Sequence, residues 1–179
     1  MNNRLSPQGM KLLKVFHLIF IMMWTIGVVM MSILNWKSES LFPKFIYNQE
    51  MSLLIDYIFV IPGAICAVIT GIIYGFKTNW GFFKYKWITV KWILGILVII
   101  IGTFVLHPIA LDIVYNTESL PEENYKIFLN DWHPDIVTLK IMATIQAVAL
   151  IFLIVVSVYK PWMKKKRIIS FSPEPVVFR

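Results

Sequence analysis

Charge is scarce in this sequence. Of 179 residues only 15% are Asp, Glu, Lys or Arg, and 58% are hydrophobic, against about a quarter charged and about half apolar in a soluble domain. That balance excludes an ordinary water-soluble domain. Cysteine is nearly absent: Cys66 stands alone, so there is no intrachain disulfide and no C-x-x-C-H haem-attachment motif. H-E-x-x-H, the P-loop and G-x-S-x-G are missing as well, and catalysis by a covalent nucleophile has no support. No interior stretch alternates polar and apolar residues as a porin strand does. The formal net charge is +7, but the basic residues fall between apolar runs, which argues for a bilayer and against a nucleic-acid partner.

What the chain does have is long apolar runs. Four of them, at 12–34, 53–76, 87–107 and 136–159, approach or exceed the roughly 20 residues that cross a bilayer as a helix. The expectation is an all-α integral membrane four-helix bundle in one domain, 1–167, followed by a C-terminal tail, 168–179. Pro108 lacks a backbone donor where the third run ends, and it is read as that helix's stop. The first run is longer than the apolar core of a signal peptide and no A-x-A-like site follows, so it is read as a retained helix. Arg4, Lys11 and Lys14 flank run one; Lys77, Lys84 and Lys86 lie between runs two and three; Lys160, Lys164, Lys165, Lys166 and Arg167 follow run four. The other two loops carry few basic residues, so the positive-inside rule puts both termini in the cytoplasm. Gly63, Ala67, Gly71 and Gly75 recur every four residues in run two, and Gly95 and Gly102 share a face of run three. Small residues allow close helix approach in lipid, within one bundle or across a homodimer.

Ionisable side chains inside a spanning helix are costly and usually face the bundle interior. His17 lies in run one and Lys91 in run three, two helices of the same direction. At 1.5 Å per residue both sit roughly 6–8 Å inside the cytoplasmic boundary. They share a depth and therefore a candidate site. Lys14, His17, Ile21 and Trp24 follow helical spacing on one face. That face lines a cofactor pocket, or His17 makes a structural hydrogen bond while Lys14 and Lys91 snorkel. His107 is 16 residues beyond Lys91, about 24 Å along a helix, so His17 and His107 cannot ligate one iron.

A second cluster is expected at the outer side. Asp56 begins run two, His107 ends run three, and "NDWHPDI" brings Asp131, His133 and Asp135 to run four. Asp56, His107 and His133 make a candidate Cu or Zn site, or the two histidines a haem site; the alternative is ordinary solvated boundary residues.

The stretch "LLKVFHLIFIMMWTIG", with lysine, histidine, tryptophan and glycine in series, resembles the first helix of the HemJ-type protoporphyrinogen oxidases and related CopD-like small bacterial membrane proteins. "IPGAICAVITGIIYGF" is similar to their second helix, "WITVKWIL" to the start of their third, and "NYKIFLND" and "YKPW" to the flanks of the last. The resemblance touches all four runs. It implies a haem b protein of the bacterial inner (plasma) membrane, passing electrons between a porphyrinogen or quinol and an acceptor. His17 would be the axial ligand, Lys91 a catalytic or propionate-binding residue, and Trp24 part of the cofactor wall. The chain departs from that family where "VVMMSILNWK" replaces a P-R-L-F-x-Y-H stretch and where Gly102 stands for a histidine. The competing expectation is a non-enzymatic membrane protein, either a copper-handling permease or an accessory subunit of a membrane complex. A purely structural bundle is the third.

Overall fold

In a computed structural model of the chain, residues 5–37, 42–78, 81–118 and 120–160 are described. Arg4, the basic cluster 164–167 and the tail 168–179 lie outside them. The described residues are helical, with no strand among them. Four helices are long and apolar enough to cross a membrane: α1 (Pro7–Lys37), α2 (Phe42–Lys77), α3 (Lys86–Thr117) and α5 (His133–Tyr159). A short α4 (Tyr125–Asp131) precedes the last.

These helices are turned inside out relative to a soluble bundle. On α1 the buried residues include Thr25, Gly27, Ser32 and Asn35, while Ile19, Met22, Ile26, Met30 and Ile33 face outward. Such an outer face is stable only against hydrocarbon, so the chain is a multi-pass membrane protein in contact with lipid. Inside, small and polar residues hold the helices. Thr144 accepts from Trp36 Nε1 (3.0 Å), shares a hydroxyl–hydroxyl hydrogen bond with Ser32 (3.0 Å) and reaches the carbonyl of Lys140 (2.7 Å), latching α1 to α5.

Helix α1 runs antiparallel to α2 in tight register. A Cβ on Gly63 would stand 2.8 Å from the backbone nitrogen of Trp24, and one on Gly27 would stand 2.7 Å from Val60. The small-residue face of α2 therefore packs within the chain, as close approach in lipid requires. Gly95 differs from the expected packing role, because nothing lies within 4 Å of where its Cβ would be. Close backbone approach between α2 and α3 involves the Phe42–Ile55 and His107–Glu118 segments. Gly95 lies in the other half of α3.

Two expected boundaries shift. Helix α2 begins at Phe42 rather than near residue 53, because Phe45, Asn48, Gln49, Ser52 and Leu53 bury one face of an otherwise polar stretch. Helix α3 does not stop at Pro108 but continues past it, so most of the stretch between runs three and four is helical, in α3 and α4. The reason is a π-turn over Gly102–Leu106, closed by a hydrogen bond from the His107 N–H to the Gly102 carbonyl. The wider turn moves the preceding carbonyls off the proline ring, relieving the clash that ends α-helices. Asp56–Val60 does the same for Pro62, with the Ile61 N–H bonded to the Asp56 carbonyl.

Candidate functional site

Two cavities lie along the bundle axis. The first, about 610 Å³, is lined by Lys14, His17, Ile21, Trp24, Lys91 and Lys160 among others. The second, about 550 Å³, is lined by Asn35, Ser52, Asp56, His107 and Gln146. Trp24, Val68 and Ile99 line both and form the partition. Each volume falls within the roughly 300–1,000 Å³ of small-molecule sites.

The structure brings His17, Lys91 and Trp24 to one cavity, together with the whole Lys14–His17–Ile21–Trp24 face. His17 is held by Thr70, one turn from Cys66 on α2, whose hydroxyl lies 2.6 Å from the Cys66 carbonyl, 3.1 Å from that of Ala67 and 2.8 Å from His17 Nδ1. With the hydroxyl proton on a carbonyl, the Thr70 oxygen accepts from His17 Nδ1–H, and Nε2 then carries the lone pair, the form in which imidazole binds a metal. The structural hydrogen bond and the pocket-lining role thus belong to the same ring.

The wall around His17 is aromatic and basic. Trp24, Tyr74, Trp87 and Trp92 supply apolar area, with the Tyr74 and His17 rings 6.2 Å apart. Lys14, Lys91 and Lys160 all line the cavity, and among the described residues no Asp or Glu does. Among the described residues no carboxylate pairs with Lys91. The cavity suits a molecule with an apolar body and acidic substituents.

The other cavity holds Asp56 and His107, two of the three residues grouped at the outer side from the sequence. His107 Nδ1 lies 2.8 Å from Asp56 Oδ2, and the Tyr57 ring meets His107 edge-on at 5.6 Å. Neither residue marks a helix end, as had been expected. Asp56 opens one π-turn and His107 directly follows the other. Loosened turns on two facing helices re-aim these side chains toward each other, a use π-turns often serve at functional sites. His133 is exposed at the start of α5 and lines neither cavity. Among the described residues no group of three or more His, Cys, Asp and Glu is placed to hold a metal.

Replacing Asp56 by Ala is expected to lower stability in detergent by about 1–3 kcal/mol, the cost of leaving the partner nitrogen of a buried hydrogen bond unsatisfied. Thermal unfolding checks this. Adding His107→Leu to Asp56→Ala is expected to recover part of the loss, and an unchanged melting temperature in the single variant would contradict the pairing.

Sequence reasoning missed Thr70, Asn35 and Gln146. The only available signal was that Thr70 and Gln146 are polar residues inside apolar runs and that Asn35 directly follows one. No family model matches the chain, and neither a curated protein nor a solved structure does.

Proposed function

We propose that the chain is a haem b-binding redox protein of the bacterial inner membrane, with its cofactor in the Lys-lined cavity and both termini in the cytoplasm. One observation carries the reading: His17, held through Nδ1 by Thr70, shares an apolar cavity with three lysines and, among the described residues, no carboxylate. A neutral imidazole, aromatic walls and cations for acidic substituents match the donor set haem b requires. The resemblance to the HemJ-type first and third helices points to the same residues, and the basic flanks of α1, α2, α3 and α5 support the orientation.

Within this reading His17 would hold the iron, and Thr70 holds His17. Lys91 would receive a propionate and offset its charge, with Lys14 and Lys160 available to a second acidic substituent. Trp24 closes the inner end, between the two cavities. The cofactor, when bound, supplies one-electron exchange. The protein's contribution is the axial ligand, a low dielectric and the excluded water.

Gly95 provides a test that leaves these residues in place. It lines the cavity with open space where its Cβ would be. Gly95→Phe is expected to abolish haem uptake in titrations of the detergent-purified protein while the melting temperature is retained. Full haem occupancy in a folded Gly95→Phe variant would contradict the placement. Thr70→Val is expected to weaken haem binding by ~10–100-fold, as loss of an outer-shell partner of a ligating histidine does.

A further inference from the structure

One end of the bundle carries cations alone. Lys11 and Lys14 lie near the start of α1, Lys77 closes α2, Lys84 and Lys86 lead into α3, and Lys160 follows α5. Three contacts tie these helix ends together. The Leu5 N–H donates to the Lys77 carbonyl at 3.4 Å, and the Tyr74 hydroxyl donates to the Met10 carbonyl at 3.4 Å. Lys160 Nζ lies 6.0 Å from the centre of the Trp87 ring. No Asp or Glu occurs in 1–38, 57–111 or 136–173, and these ranges supply every described residue at this end. Nothing there neutralises the lysines. At the opposite end Lys37, Lys44 and Lys126 are mixed with exposed Glu50, Asp112, Glu122, Glu123 and Asp131.

The connection between α2 and α3 adds aromatic rings to the charge. Gly81, with φ +62°, begins its described part. Phe82 packs onto Gly75 and lies 5.6 Å from the Trp92 ring and 5.0 Å from that of Phe76. This fixes the connection against both helices. Phe76 and Phe83 nevertheless remain 74% and 76% exposed, beside the exposed Lys84 and Lys86. Rings and lysines interleaved at the ends of spanning helices suit the layer where headgroups meet acyl chains. The rings enter the apolar side while the ammonium groups stay at the level of the phosphates. A soluble acidic partner would leave both rings in water.

We propose that Lys77, Lys84 and Lys86, with Phe76 and Phe83, form a binding surface for the headgroups of anionic phospholipids. Each lysine close to a negatively charged bilayer surface is attracted to it, and no carboxylate competes for these three. The surface does not rest on the haem reading, which uses His17 and Lys91, and it holds for either orientation of the chain.

The test places the full chain in phosphatidylcholine bilayers containing spin-labelled phosphatidylglycerol or spin-labelled phosphatidylcholine. The motionally restricted fraction of each label gives their relative association constants. Phosphatidylglycerol is expected to be favoured by at least about threefold at low salt, and the preference should shrink as salt screens it. Lys77→Gln, Lys84→Gln and Lys86→Gln together are expected to remove most of it. Lys37→Gln, Lys44→Gln and Lys126→Gln together make the same charge change at the other end and are expected to keep it. Equal association of the two lipids with the unmodified chain would overturn the surface, as would equal loss in both combined variants. Loss of the preference on adding inorganic phosphate at matched ionic strength would overturn the lipid assignment in favour of a free-phosphate site. A second measurement leaves the lysines untouched: a nitroxide on Phe83→Cys, in a Cys66→Ser background. It is expected to be more accessible to oxygen than to a water-soluble nickel chelate. The reverse order would put the ring in water and overturn the lipid surface in favour of a soluble acidic partner.

Discussion

His17→Ala is expected to purify without haem, and the loss should exceed the ~10–100-fold that removing an outer-shell partner costs. The ring is the only imidazole lining the Lys-rich cavity, so nothing replaces it there. His107 cannot substitute, because it lines the other cavity and its Nδ1 is engaged by Asp56. Removing the ring also takes away the Thr70 bond to His17, but Thr70 keeps its bonds to the Cys66 and Ala67 carbonyls. The helix should therefore stay in place and the variant should melt close to the parent. Imidazole in the buffer should partly restore the haem spectrum by occupying the space the side chain leaves. Haem titration with and without imidazole, beside a melting curve, measures all of this. Undiminished haem in His17→Ala would remove the axial role, and haem loss accompanied by collapse of the melting transition would reduce His17 to a structural residue.

Gly63→Ala is expected to cost about 1–3 kcal/mol of stability, the range for overpacking a close contact. The added methyl carbon would lie 2.8 Å from the nitrogen and 3.1 Å from the Cα of Trp24. Both are backbone atoms, so no rotamer change relieves the contact and α1 must move away from α2. The same displacement carries Trp24, the partition between the two cavities, and the haem affinity is expected to fall with the stability. Gly95→Ala is the matched control: it meets nothing within 4 Å and adds helix propensity, so its melting temperature should equal or exceed the parent's. Thermal unfolding of the two variants side by side reads the difference. Equal destabilisation by both would mean that helix packing does not discriminate between these glycines.

The four spans were legible because each apolar run is long enough that few alternatives exist. Their extents were less so. The polar segment Phe42–Leu53 reads as a loop by hydropathy, and only its buried face, led by the fully buried Phe45, shows why it is helical. Pro108 reads as a stop because a straight α-helix cannot absorb it, and the π-turn that does absorb it carries no sequence signature of its own. Depth arithmetic along two helices of the same direction was enough to bring His17 to Lys91, and helical spacing was enough to add Trp24. The Thr70 bond to His17 was not legible, since threonine in an apolar helix commonly bonds its own preceding turn, as Thr70 also does. The Asp56–His107 pair came within reach of the argument, both being assigned to the outer side. Their mutual hydrogen bond depends on two π-turns, and His133, grouped with them on spacing alone, lies at an exposed helix start.

The absorption spectrum of the detergent-purified protein, produced with haem supplied and recorded before and after dithionite with a pyridine haemochrome assay, tests the central claim most directly. The account predicts a Soret band and, on reduction, the α and β bands of haem b, at one haem per chain. A featureless spectrum from folded, haem-supplied protein would contradict it.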